Sequence, residues 1–185
     1  EKLPCPESEK EKPLSPYALS KAVSEKYFRL FEQLYRLNYT ILRYGNVYGP
    51  RQDSGGESGV IAIFIKKMLE KEQPRINGDG NQLRDFIYID DIIEANLLAM
   101  NSGNRETINI GSGVGTSIIN IFKILSEIIK FKWEPLFGPA KPGEVESLYL
   151  DIVKAKKELK WEPKFSLEKG LKLTVDYLKN INEEK

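Results

Sequence analysis

SPYALSKAVSEKYFRLFEQLYRLNYTILRYGNVYGPRQ, residues 15–52, carries two periodicities in succession, and their order decides the fold. Ser15 followed by Pro16 is an N-cap with proline at the first helical position. Leu19, Val23, Tyr27, Leu30, Phe31 and Leu34 then recur at helical spacing and predict a long helix to about Leu37. Tyr39 to Tyr44 is a short apolar run that predicts a buried strand. Gly45, Gly49 and Pro50, joined downstream by Gly55, Gly56 and Gly59, predict a loop after it.

Working outward, the alternation continues. Residues 1–15 are polar and proline-punctuated and predict a surface loop. A helix is expected from about Val60 to Lys71, a turn-rich stretch over INGDGNQLRD (76–85), and a short strand from Phe86 to Ile89. Asp90 is expected to cap a helix through about Met100. Thr107 to Ile110 predicts a strand, Ser117 to about Ile129 a helix, Ser147 to Leu150 a strand, and residues 152–159 and 167–180 the closing helices. Strands alternating with helices define the class as α/β.

Composition removes several functions. The 28 basic and 27 acidic residues leave a net charge of +1, without the clustered basic excess of a nucleic-acid binder. No stretch approaches the roughly 20 apolar residues needed to cross a bilayer, and the start lacks the apolar core of a signal peptide. There is no histidine, so a Ser-His-Asp triad cannot be built, and with Cys5 alone neither a zinc site nor an internal disulfide is expected. A lone cysteine suits a reducing, cytoplasmic setting. The first residue is Glu1 inside a loop-like segment, which predicts a fragment or trimmed chain.

Tyr17 and Lys21 are four apart on the long helix, so they share a face. A tyrosine serves as general base near neutrality only if its ionisation falls about three units from ~10, roughly 4 kcal/mol. One ammonium about 4 Å away, at an effective dielectric near 20, supplies a similar amount. The pair is chemically sufficient, although an ordinary exposed helix pair has the same spacing. Arg84 has two readings, a clamp for phosphate oxygens or a local ion pair with Asp85. Gly111, Gly113 and Gly115 follow a strand and precede a helix, but Thr116 stands where a dinucleotide loop needs its last glycine.

Five segments, in order, resemble the extended short-chain dehydrogenases/reductases that act on nucleotide sugars with NAD, and most of all the UDP-glucose 4-epimerases among them. They are SPYALSKAVSEKY (15–27), LRYGNVYGPRQ (42–52), GVIAIFI (59–65), INGDGNQLRDFIYIDD (76–91) and KPGEV (141–145). DIVKAKKELKWEPKFSLEKGL (151–171) resembles the closing helices, with Trp161 and Pro163 as packing and turn residues. The resemblance implies that Tyr17 is the acid/base and that Lys21 favours its phenolate and holds the nicotinamide ribose. It sets the backbone of Tyr44 and Gly45 beside the nicotinamide, and Asn46 on the sugar diphosphate. Val60 and Ile61 would lie along the uracil through their backbone, Arg84 on the diphosphate, Lys141 on phosphate and Glu144 on the ribose hydroxyls. Lys141 stands where the family has arginine, which keeps the charge and loses the fork.

The implied fold is the C-terminal portion of a Rossmann-type parallel sheet, from residues 1–46 and 90–111, plus a smaller substrate domain from 47–89 and 112–185. The implied reaction is reversible oxidation at sugar C4 with NAD, giving 4-epimerisation of a UDP-sugar, in a homodimer when full length. A dTDP-sugar 4,6-dehydratase, a UDP-glucuronate decarboxylase and a non-catalytic nucleotide-sugar binder share these motifs. The segment with the NAD pyrophosphate loop and a catalytic Ser or Thr is expected upstream of Glu1, so the chain alone is expected to be inactive.

Overall fold

The Ser15 hydroxyl accepts the Ala18 backbone N–H at 3.1 Å and starts α1 (Pro16–Tyr35), which ends at Arg36 in the left-handed conformation. A computed structural model describes residues 2–53, 59–140 and 145–183. The remaining elements follow as β1 (Thr40–Tyr44), β2 (Asn46–Tyr48), α2 (Val60–Leu69), β3 (Arg75–Asn77), β4 (Leu83–Tyr88) and α3 (Ile89–Ala99). After them come β5 (Glu106–Ile110), β6 (Gly115–Ser117), α4 (Ile118–Ile129), β7 (Leu136–Gly138), β8 (Ser147–Leu148), α5 (Val153–Glu158) and α6 (Leu167–Glu183). The expected α/β class holds, with parallel pairing dominant.

β1 pairs in parallel with β5, Leu42 opposite Ile108 and Tyr44 opposite Ile110. β4 is the spine of a second sheet. Its C-terminal half runs parallel to β2, and its N-terminal half lies between antiparallel β6 and parallel β8. β3 and β7 form a separate parallel pair. The chain passes from the first sheet to the second within one residue, at Gly45.

Two apolar cores hold these sheets. In one, α2, α4 and α6 pack together through Phe64, Ile65, Phe122, Leu125, Leu171 and Val175, over Tyr48, Phe86 and Tyr88. In the other, Ile87, Ile92, Ile108 and Ile110 meet Ala155, Leu159 and Trp161, whose indole N–H donates to the Asp91 carbonyl at 3.0 Å. Trp161 is thus a packing residue, as its sequence context suggests.

α1 is built the other way round. None of its residues is buried. Tyr17, Leu19, Tyr27, Phe28, Phe31 and Leu34 are exposed, while the least exposed positions are Ala18, Ala22, Glu25 and Glu32. Among the described residues the large apolar side chains of this helix are therefore exposed. No helix among the described residues is long and apolar enough to cross a membrane.

Several local expectations need correction. The strand expected over Phe86–Ile89 is Leu83–Tyr88, and Ile89 already opens α3. Asp90 is not the N-cap; Tyr88 holds that position without a side-chain bond, because the strand turns directly into the helix. Asp90 and Asp91 instead lie in the first turn, where negative charge meets the positive helix end. β2, β3, β6 and β7 are three residues each, too short to leave a period in the sequence. At 147–150 the ladder stops at Leu148, and Leu150 forms an isolated bridge with Cys5.

Candidate functional site

The site begins where β1 ends. Gly45 N–H donates to the Ile110 carbonyl at 2.9 Å, which keeps the two strands paired to the point of departure. A Cβ at Gly45 would lie 2.7 Å from the Asp85 carbonyl oxygen, so only glycine lets the chain cross there. The Tyr44 hydroxyl donates to Asn96 Oδ1 at 2.9 Å, tying the end of β1 to α3.

Tyr17 and Lys21 stand on the first two turns of α1. The Lys21 ammonium lies 5.3 Å from the centroid of the Tyr17 ring, within cation–π range. Tyr17 is 69% exposed, so its phenol is open to a ligand. A cavity of about 750 Å³ runs between α1 and β1, lined by Tyr17, Lys21, Phe28, Arg43, Tyr44 and Gly45 among others. All four residues expected near the nicotinamide therefore line one cavity, Tyr17 and Lys21 from α1 and Tyr44 and Gly45 from the end of β1.

The residues expected on the nucleotide sugar are elsewhere. Asn46, Val60, Ile61 and Arg84 do not line that cavity. Asn46 is exposed on β2, opposite Phe86. Ile61 is 1% exposed and belongs to the core, so only backbone of the first turn of α2 is free to meet a ligand there. Arg84 is half-buried on β4, in register with Thr116 and Leu148, and its Nη1 donates to the Leu83 carbonyl at 2.8 Å. Lys141 and Glu144 lie outside the described residues.

Asp85, named from the sequence only as a candidate ion-pair partner of Arg84, has a role that sequence reasoning missed. It is 2% exposed. Its carboxylate accepts Ser112 N–H at 2.6 Å, the Ser112 hydroxyl at 2.7 Å, Leu150 N–H at 3.0 Å and Gly113 N–H at 3.2 Å. One side chain thus fastens β4 to the loop after β5 and to the chain after β8. A Cβ at Gly111 would fall 2.5 Å from Asp85 Oδ2, which explains that glycine. The glycines of INIGSGVG were the available signal, since they mark a close approach. The same contact settles what the loop does: its amides are already taken by a carboxylate, so it does not suit a pyrophosphate.

Against NAD, then, the residues divide. A phenol, an ammonium and the exposed end of a strand around one cavity suit a ribose and nicotinamide, whereas the Gly111–Gly115 loop does not suit the diphosphate. Asp91 is also buried, and accepts Lys164 N–H at 2.8 Å and Phe165 N–H at 3.3 Å. Burial pushes its carboxyl above the usual range, with those two amides pulling the other way.

Parallel strands flanked by helices, with a Tyr–Lys helix beside the strand end, define a Rossmann-like α/β protein. Residues 2–111 match the model of the NAD dependent epimerase/dehydratase family, and the chain belongs to that family. A Methanocaldococcus jannaschii protein described as a candidate UDP-glucose 4-epimerase is 49% identical over 180 residues, covering 97% of this chain and 58% of that protein. A UDP-glucuronate 4-epimerase of Thermodesulfobacterium geofontis is 40% identical, over 90% of this chain and 51% of its own length. The crystal structure of a Thermotoga maritima UDP-glucose 4-epimerase with UDP-glucose superposes with a TM-score of 0.97 at 49% identity, covering 98% of this chain and 59% of that one. The chain therefore spans a little over half the length of the curated relatives it matches. The family's NAD dependence agrees with the cofactor expected from the sequence.

Proposed function

We propose that this chain is the substrate-facing part of a UDP-sugar 4-epimerase of the UDP-glucose/UDP-galactose type. The observation that carries the reading is the single cavity lined by Tyr17, Lys21, Tyr44 and Gly45. The chemistry NAD supplies when bound is reversible hydride acceptance at the sugar C4. Tyr17 accepts the proton of the 4-hydroxyl and returns it. Lys21 stabilises the phenolate by its charge and donates to the ribose. Asn46, Arg84 and the start of α2 at Val60 and Ile61 hold the nucleotide sugar, with Lys141 and Glu144 on its phosphate and ribose. Tight grip on UDP leaves the sugar free to present either face, so remote binding energy serves the reacting carbon.

In this reading residues 1–46 and 90–111 belong to the Rossmann domain, and 47–89 and 112–185 to the substrate domain. The protein works in the cytoplasm, as a homodimer. The 40% identity to a UDP-glucuronate 4-epimerase supports a second reading with the acidic sugar as substrate.

Calorimetry with UDP, dTDP and GDP tests the site, with Arg84→Ala as control. Saturable UDP binding lost in the variant is expected; equal binding in the variant would remove Arg84 from the site. Turnover of UDP-glucose, UDP-galactose and UDP-glucuronate by the full-length protein, lost in Tyr17→Phe, tests the chemistry. Turnover that survives the substitution would end the proton-transfer role.

A further inference from the structure

α1 carries the proposed acid/base, yet among the described residues it buries no side chain, and only Phe28, against Tyr39, makes a ring contact with the strand side. Its inward side chains are Ala18, Ala22, Glu25 and Glu32. What meets Glu25 is Arg43 of β1, through a two-pronged contact: Nε to Oε1 at 2.7 Å and Nη2 to Oε2 at 2.8 Å. Glu25 side-chain exposure is 12% and that of Arg43 25%, so the pair is largely shielded from water. The remaining donors of Arg43 reach the segment leading into the helix, with Nη2 on Glu11 Oε1 at 2.8 Å and Nη1 on the Glu7 carbonyl at 3.3 Å. That segment is itself anchored, because the Glu7 carboxylate accepts Asn109 N–H at 2.8 Å on β5.

Geometry links this hub to the chemistry. Tyr17, Lys21 and Glu25 recur every four residues, so they lie along one face of a rigid helix. Arg43 immediately precedes Tyr44 and Gly45, which form the opposite wall of the cavity. A single charged contact offers little resistance to sliding. A planar fork on both carboxylate oxygens fixes rotation and height together. We propose that Glu25 and Arg43 are positioning residues that set the Tyr17–Lys21 face of α1 against the end of β1. This rests on the epimerase reading for its consequence, but not for its geometry.

Arg43→Lys keeps the charge and removes the fork; Glu25→Gln keeps the shape and removes the charge. In the full-length protein each variant is expected to lower kcat by about 10- to 100-fold, the scale of an ångström-sized misplacement. KM for the UDP-sugar is expected to stay within about twofold, because UDP is held by other residues. The double variant is expected to be no worse than the weaker single one, the mark of one shared interaction. Amide exchange along residues 19–34 is expected to accelerate at least tenfold, with α2, α4 and α6 unchanged. Unchanged kcat with unchanged exchange in α1 would overturn the proposal. So would equal acceleration throughout the core, which marks a general stability role. If the parent protein turns over no UDP-sugar, the function proposed above fails, and exchange in α1 alone decides the pair.

Discussion

α1 and α4 are helices of opposite construction within one chain. α4 turns Ile121, Phe122 and Leu125 inward to a core they share with α2 and α6, all buried. Among the described residues α1 buries no side chain: alanines and glutamates are its least exposed positions, and Tyr17 and Phe28 line the cavity against β1. The first helix is held by area removed from water. The second is held by charge: Arg43 on Glu25, Arg105 on Glu32 at 3.5 Å, and one ring contact between Phe28 and Tyr39 with centroids 6.0 Å apart. Apolar packing tolerates small shifts in any direction, whereas a bidentate ion pair specifies one placement. The helix bearing the Tyr–Lys pair has the second kind of attachment, and the helix that stabilises the scaffold has the first.

The contrast is broken most directly by paired truncations. Leu125→Ala should destabilise the chain by about 3–4 kcal/mol in urea unfolding, as a fully buried leucine does, and Leu30→Ala on α1 by less than about 0.5 kcal/mol. Comparable losses at both sites would show that α1 contributes to the core after all. Next in size is Asp85→Asn. The amide leaves the three backbone N–H groups and the hydroxyl around it with one acceptor oxygen, and an unsatisfied buried donor costs about 1–3 kcal/mol. A loss of about 3 kcal/mol, with weaker UDP binding through the adjacent Arg84, is expected from thermal unfolding and calorimetry. Stability held within about 0.5 kcal/mol would mean that water replaces the carboxylate.

The smallest effect sharpens the distinction between charge that holds and charge that is tolerated. Asp91 has its carboxyl raised by burial, so the folded chain keeps that proton more tightly than the unfolded chain. Its contribution to folding is fullest below the ordinary carboxylate value and declines as pH rises through the raised one. The stability deficit of Asp91→Asn should therefore shrink as pH rises across that window. A deficit that grows with pH would show that the charged form, held by Lys164 and Phe165 amides, is the favoured one.

Much of the fold was legible in residues 15–52 alone. Ser15 and Pro16 start the helix where their chemistry predicts, and the strand to Tyr44 ends at Gly45. Long amphipathic helices such as α4 and α6 leave a period that survives any tertiary context. Three-residue strands leave none; β2 and β6 exist because β4 offers edges that they fill, and β3 and β7 because each is the other's partner. Asp90 misled for a related reason: an aspartate before a helical run suggests a cap, but the preceding strand had already supplied the extended residue that begins the helix.

The site divides along the same line. Tyr17 and Lys21 are neighbours by helix geometry, so the sequence by itself determined that a phenol and an ammonium share a face. It also determined the order of motifs that marks the family. Local spacing is enough for such facts, since they depend on bonds within a turn or two. Only the tertiary structure decided that Arg43 grips Glu25, that Asp85 closes the Gly111–Gly113 loop, and that Ile61 is core. Those outcomes join residues 18, 27 and more positions apart, and they depend on which groups the paired sheets bring together.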